Sequence, residues 1–193
     1  MALDLSTEKA YWLGRYEPQV QRYLSENVGA EDVFYDIGAH VGFFSICSAR
    51  LGARVVAVEP DPANAERLRR NADLNSFDIE VIEAAAWSES GRVELVPGDS
   101  SKEYEVAPGD GVASVTLDEL VRSRPALTLI KLDVEGAEDR VFEGARRVVA
   151  ECSPVVICEI HGEAQRESVL AQLRGYAVVE LGTRDRVLAR PSP

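Results

Sequence analysis

The sequence predicts an α/β fold, a mostly parallel sheet with helices on both faces. Three observations predict it. Short apolar runs of strand length recur along the chain, and most are closed by a glycine or an acidic residue. Stretches with helical spacing separate them, and such alternation builds crossover units on a parallel sheet. The chain has 193 residues, 46% of them hydrophobic, which suits one domain with a real core and excludes disorder. The expected organisation is a single domain over 1–193. Residues 1–30 form an N-terminal helical segment, a possible lid, and 31–193 form the core.

Thr7 to Glu26 reads as helical and includes the aromatic-rich stretch Tyr11-Trp12-Leu13-Gly14-Arg15-Tyr16-Glu17-Pro18. Pro18 divides it, because proline removes an N–H donor inside a helix. Val33 to Ile37 is the first strand, stopping at Gly38. Val41 to Leu51 reads as a helix closed by Gly52. Arg54 to Val58 is the second strand and ends at Glu59-Pro60. Pro62 suits a helix start, and Ala63 to Asn75 carries that helix. Ile79 to Ile82 is the third strand, running on into Glu83-Ala84-Ala85-Ala86-Trp87. Gly91 to Val96 alternates like a strand in a hairpin, and Pro97 to Gly111, with two Pro-Gly pairs, reads as a loop. Val115 to Leu120 opens a short helix. Leu127 to Leu132 is a strand ending at Asp133, Ala137 to Ala150 a helix, and Pro154 to Ile160 a strand ending at His161. Glu163 to Arg174 is a helix closed by Gly175, and Tyr176 to Leu181 with Arg186 to Ala189 forms a closing hairpin.

Charge narrows the partners. There are 21 Lys and Arg against 33 Asp and Glu, a net charge of −12. Duplex nucleic acid and anionic membranes need clustered cations, so neither is the expected partner. Cys47, Cys152 and Cys158 are odd in number and fit no zinc, iron–sulfur or redox spacing, so they read as reduced thiols. Met1 to Ala10 lacks the apolar core of a signal peptide, and no apolar run approaches a membrane span. A soluble, cytoplasmic protein is expected.

Ligands of such sheets sit beyond the carboxyl ends of the strands. Those ends carry Asp36-Ile37-Gly38-Ala39-His40-Val41-Gly42, Glu59-Pro60-Asp61, Asp133-Val134-Glu135-Gly136 and Glu159-Ile160-His161. The glycines permit a tight turn and close backbone approach. Glu59, 21 residues after Gly38, is placed to accept hydrogen bonds from both hydroxyls of a ribose. The dinucleotide pattern G-x-G-x-x-G is absent, and so is a P-loop. Asp36 would repel a pyrophosphate but suits an ammonium or sulfonium. Carboxylates at Asp36, Glu59 and Asp133 around an adenosine without phosphate point to S-adenosylmethionine.

Asp36-Ile37-Gly38-Ala39-His40-Val41-Gly42-Phe43, Glu59-Pro60 and Lys131-Leu132-Asp133-Val134-Glu135-Gly136-Ala137-Glu138, in this order, resemble the FkbM family of S-adenosylmethionine-dependent methyltransferases. Gly14-Arg15-Tyr16-Glu17-Pro18 and Glu159-Ile160-His161 fit the same resemblance, which covers Tyr11 to His161. It implies the class I methyltransferase fold, a Rossmann-like seven-stranded sheet of order 3-2-1-4-5-7-6 with strand seven antiparallel. It also implies methyl transfer to oxygen, often a hydroxyl of a sugar or polyketide-type metabolite.

On this reading Gly38, Ala39 and Gly42 shape the turn under the methionine moiety, and Asp36 faces its ammonium. Glu59, with Pro60, holds the ribose. Ala85 and Trp87 lie near the adenine, and His40 shapes the turn or flanks the methionine group. Tyr16 and Glu17 either fold over the cofactor or end a packed helix. Asp133, Glu159 and His161 supply the acceptor chemistry. Three alternatives stay open for His161: a general base with a pKa near working pH, a ligand with Asp133 and Glu159 of a divalent cation, or a structural residue. The metal is not the favoured one. No Asp/Asn-Pro-Pro-Tyr of amino-group methyltransferases is present, nor a Cys-x-x-x-Cys-x-x-Cys of radical enzymes. The expected function is an O-methyltransferase acting on a hydroxylated small molecule. A non-catalytic cofactor-binding module and a nicotinamide-dependent oxidoreductase are the alternatives.

Overall fold

A computed structural model describes Tyr11 and residues 13–97 and 104–192. In chain order the elements are α1 (Pro18–Asn27), β1 (Val33–Ile37), α2 (Phe43–Arg50), β2 (Arg54–Val58), α3 (Pro62–Leu74), β3 (Ile79–Ile82), β4 (Ala85–Ala86), β5 (Gly91–Pro97), β6 (Tyr104–Pro108), β7 (Val112–Val115) and α4 (Leu117–Leu120). Then follow β8 (Leu129–Leu132), α5 (Glu138–Glu143), a π-helical turn (Val148–Cys152), β9 (Val155–Glu159), α6 (Glu163–Gln172), β10 (Tyr176–Leu181) and β11 (Thr183–Pro191).

The main sheet runs β3-β2-β1-β8-β9-β11-β10. Counting only its own seven strands in chain order, this is 3-2-1-4-5-7-6, and β11 is antiparallel to both neighbours. The expected class I methyltransferase architecture is therefore present. β8 is buried along its whole length, and β1 and β2 are buried at every position but the first. That is why they read as unbroken apolar runs instead of alternating ones. Tyr35, Ile37, Ile130 and Leu132 pack with Val141 and Phe142 on one face. Phe34, Val55 and Leu129 pack with Leu24, Phe43 and Phe44 on the other. Register then sets chemistry. Asp36 on β1 lies beside Lys131 on β8, and Glu159 on β9 lies opposite Arg186 on β11.

Several boundaries differ from expectation. The helix after β1 starts at Phe43, because Gly42, with φ +86°, is its N-cap. The stretch read as a loop from Pro97 to Gly111 contains β6, which pairs with β5 in a second sheet of order β4-β7-β5-β6. Residues 98–103 of that stretch lie outside the described residues, as does the expected helix start at Thr7. The helix expected to reach Ala150 ends at Glu143 and resumes as the π-helical turn. Among the described residues no helix is long and apolar enough to cross a membrane.

Candidate functional site

A cavity of about 320 Å³ opens over the carboxyl ends of β1, β2 and β8. Asp36, Gly38, Ala39, His40, Glu59, Pro60, Ala85 and Asp133 all border it. Its volume falls within the range of roughly 300–1,000 Å³ typical of small-molecule sites. Gly38 has φ +76°, and a Cβ there would overlap the Asp133 carbonyl oxygen. The turn after β1 is thus pressed onto the backbone leaving β8, and only glycine fits between them.

Glu59 is the most tightly held acid of the rim. One carboxylate oxygen accepts the His40 N–H at 2.8 Å, and the other accepts the Asp61 N–H at 3.1 Å and the Asn64 amide at 3.5 Å. The residue is 5% exposed. Burial pushes its pKa up to about 7 against these hydrogen bonds. His40 adopts φ +50°, which turns its N–H toward Glu59. Asp36 is buried and accepts from the Ser45 hydroxyl at 2.6 Å. Burial raises its pKa, opposed by the Lys131 ammonium and the Ser45 hydrogen bond.

Four aromatic rings form a further part of the wall. Tyr11 stacks on Phe43 with centroids 5.1 Å apart, and Tyr16 meets Phe43 and Phe44 at 5.7 Å. All four line the cavity. Lys131 is buried, with its Nζ 5.0 Å above the Phe44 ring and 3.1 Å from an Asp133 oxygen. Burial works against that charge, but Asp133, Glu17 and Asp36 outweigh it and hold the ammonium protonated. Burial alone would raise the Asp133 pKa; the Lys131 charge and hydrogen bond, with His161 and Arg186, lower it instead.

The expected grouping of Asp133, Glu159 and His161 is not what the chain forms. Two other triads bring their ligand atoms within 4.8 Å of one another: Asp133, Glu135 and His161, and Glu17, Asp133 and Glu159. Both already contain cations. Arg186 pairs with Glu17 at 3.2 Å and with Glu159, and Lys131 pairs with Asp133. His161 bonds Glu138 through Nδ1 at 2.8 Å and faces Glu135 through Nε2 at 3.3 Å. The Glu138 hydrogen bond, against burial and with help from Glu135 and Asp133, raises the His161 pKa to about 9. A pKa raised to about 9 favours the imidazolium at neutral pH, held between the Glu135 and Glu138 carboxylates. We read both triads as ion-pair networks, not open chelates.

Four expected residues do not border the cavity: Gly42, Trp87, Glu159 and His161. Gly42 serves packing, since a Cβ there would lie 2.7 Å from Leu68 Cγ. Trp87 is half-buried, and its backbone N–H donates to the Val115 carbonyl at 3.0 Å, which ties it to the second sheet. Sequence reading gave no role to Arg186, Phe44 or Asn64. Lys131 had a signal, a lysine inside the apolar run Leu129-Ile130-Lys131-Leu132. Arg186 had none, because its partners come from two distant segments.

Residues 36–180 match the Methyltransferase FkbM domain family. The chain belongs to that family. Among curated relatives it is similar to the hexuronic acid methyltransferase AglP of Haloferax volcanii, 29% identical over 162 residues, covering 80% of this chain and 66% of the relative. It is also similar to a ribosomal protein L11 methyltransferase of Pelotomaculum thermopropionicum, 28% identical, covering 79% of this chain and 47% of the relative. Among solved structures, the FkbM methyltransferase of Methylobacillus flagellatus aligns with a TM-score of 0.61 at 22% identity, covering 85% of this chain and 44% of that one. A 16S rRNA methyltransferase of T. thermophilus, solved with AdoMet and guanosine, aligns at 0.56 and 15% identity over 91% of this chain and 41% of that one. The family member thus spans no more than about two-thirds of these four proteins.

Proposed function

We propose that this chain is an S-adenosylmethionine-dependent O-methyltransferase acting on a hydroxyl of a sugar or other small metabolite. The observation that carries the reading is Glu59. It is a buried carboxylate at the cavity rim, oriented by the His40 and Asp61 amides, beside a turn that only glycine can make. A carboxylate has about four acceptor positions. The His40 and Asp61 amides take two of them, which leaves two for the hydroxyls of a ribose once the long 3.5 Å contact from Asn64 gives way. The acids at Asp36 and Asp133 suit a cationic nucleoside and oppose a pyrophosphate.

When bound, the cofactor supplies an electrophilic methyl on a sulfonium. The aromatic wall of Tyr11, Tyr16, Phe43 and Phe44 keeps water from that side of the cavity. Asp133 is the proton acceptor on this reading. An alcohol oxygen that is gaining a methyl sheds its proton readily, so a carboxylate with a low pKa suffices if it stays ionised. Lys131 keeps it so. His161 then holds Glu135 and Glu138 in place and takes no proton itself. The likeness to a hexuronic acid methyltransferase favours a sugar acceptor. The net charge of −12 and the acid-rich cavity disfavour a nucleic acid.

The test is a thermal shift with S-adenosylhomocysteine and NAD, followed by transfer of a labelled methyl to hydroxylated sugars. S-adenosylhomocysteine is expected to raise the melting temperature and NAD to leave it unmoved. A shift with NAD alone supports an oxidoreductase. A shift with S-adenosylhomocysteine but no transfer to any hydroxyl supports a binding module.

A further inference from the structure

Tyr11 and Tyr16 form part of the cavity wall, yet they belong to the segment ahead of α1, outside the residues that match the family. The next residue, Glu17, is buried, and its carboxylate lies 3.2 Å from the Arg186 Nε. Arg186 also lies outside the matched stretch and is buried between Glu17 and Glu159. Two residues far apart in the sequence, one before the matched stretch and one after it, therefore meet next to the cavity residue Tyr16. The Glu17 backbone has φ 42° and ψ 62°, directly before Pro18. A non-glycine residue there is strained, and such strain persists only where the surroundings impose it. The Arg186 contact is close but lacks the alignment of a hydrogen bond on the guanidinium Nε.

We infer that the Glu17–Arg186 pair is a latch: it positions the segment carrying Tyr11 and Tyr16 over the bound cofactor, and it parts when cofactor is exchanged. Glu17 and Arg186 are positioning residues, acting through the two tyrosines and not on the reacting atoms. The segment cannot lift without drawing Glu17 out of a buried ion pair, and a buried charge that loses its partner is costly. Conversely, backbone strain at Glu17 favours release once the pair breaks. The inference rests on the cofactor-site reading for its ligand, but the latch itself can be probed without one.

Two measurements test it on the full chain. The first is the dissociation rate of S-adenosylhomocysteine by stopped-flow displacement. The second is the rate of tryptic cleavage after the exposed Arg15, with and without that ligand. Glu17→Gln and Glu17→Gly both remove the charge, and glycine also relieves the backbone strain. Each is expected to raise the dissociation rate at least about tenfold and to speed cleavage after Arg15 even without ligand. In an Arg186→Gln background, Glu17→Gln is expected to add clearly less than it does in the parent chain, the remainder being its attraction to Lys131. If both Glu17 variants release the ligand within about twofold of the parent rate and leave cleavage unchanged, the latch is wrong. Full additivity with Arg186→Gln would equally overturn it. Failure of the parent chain to bind S-adenosylhomocysteine would sink the cofactor reading alone, and the ligand-free cleavage rates would still decide the latch.

Discussion

Replacing Glu59 by Gln tests the site at its most constrained point. The change keeps shape but turns one oxygen into an N–H donor. Both oxygens now accept N–H groups, from His40 on one side and from Asp61 and Asn64 on the other. The variant must therefore leave at least one of these donors facing another donor, and it loses the anion offered to the ribose. A hydrogen bond to a charged group contributes about 1.5–3 kcal/mol, and a ribose presents two. Allowing one of the two to survive on the remaining carbonyl, the expected loss is about 3 kcal/mol, or roughly a hundredfold weaker binding of S-adenosylhomocysteine. Titration calorimetry reads this directly. The pH dependence adds a second arm. In the free protein burial holds the Glu59 pKa at about 7. Ribose donors favour the charged form and lower that value in the complex. Affinity in the parent chain should therefore be flat above about pH 7 and fall by up to tenfold per unit below it, and Glu59→Gln should abolish the slope. Binding within about threefold of the parent, with the slope intact, would refute the assignment.

Other outcomes follow from the same contacts. His161 should titrate by NMR near pH 9, not near its ordinary 6.5. Because its folded pKa is the higher one, the stability it contributes is complete below about pH 6.5 and fades as pH rises through about 9; denaturant melts of His161→Gln should lack that decline. Lys131→Met strips the ammonium shared by Asp133, Glu17 and Asp36, with an expected loss of about 3–5 kcal/mol in urea unfolding; a loss under about 1 kcal/mol would show the cluster to be solvated. Gly38→Ala should eliminate the thermal shift with S-adenosylhomocysteine, since its Cβ overlaps the Asp133 carbonyl. Gly42→Ala should destabilise instead through Leu68 and its φ of +86°, and its cost should be smaller in a Leu68→Ala background than in the parent chain.

Strands β1, β2 and β3 were legible to the residue, because apolar runs bounded by glycine, proline and acids leave little choice of limits. The rim was legible for a related reason: ligand-facing residues on this fold follow strand ends, so Asp36, Gly38, Glu59 and Asp133 could be found by position. What escaped depended on distant pairing. β6 lies in a polar stretch with Pro-Gly pairs and exists through its ladder with β5. Gly42 and Gly38 look alike in sequence, yet one yields to a leucine and the other to a carbonyl. The carboxylates beside His161 also escaped, because Glu135 and Glu138 are brought to it by the turn after β8, far away in the chain. Arg186 sits in the antiparallel strand, and only the β9–β11 register sets it against Glu159.

The second sheet has a consequence for the shape of the cavity. Its β6 strand places Val106 in the cavity wall, although none of the four strands belongs to the main sheet. A hairpin of this kind can change length or composition without disturbing the strand ends that carry the acids. The shape of this side of the cavity is thereby uncoupled from the strand ends that carry Asp36, Glu59 and Asp133.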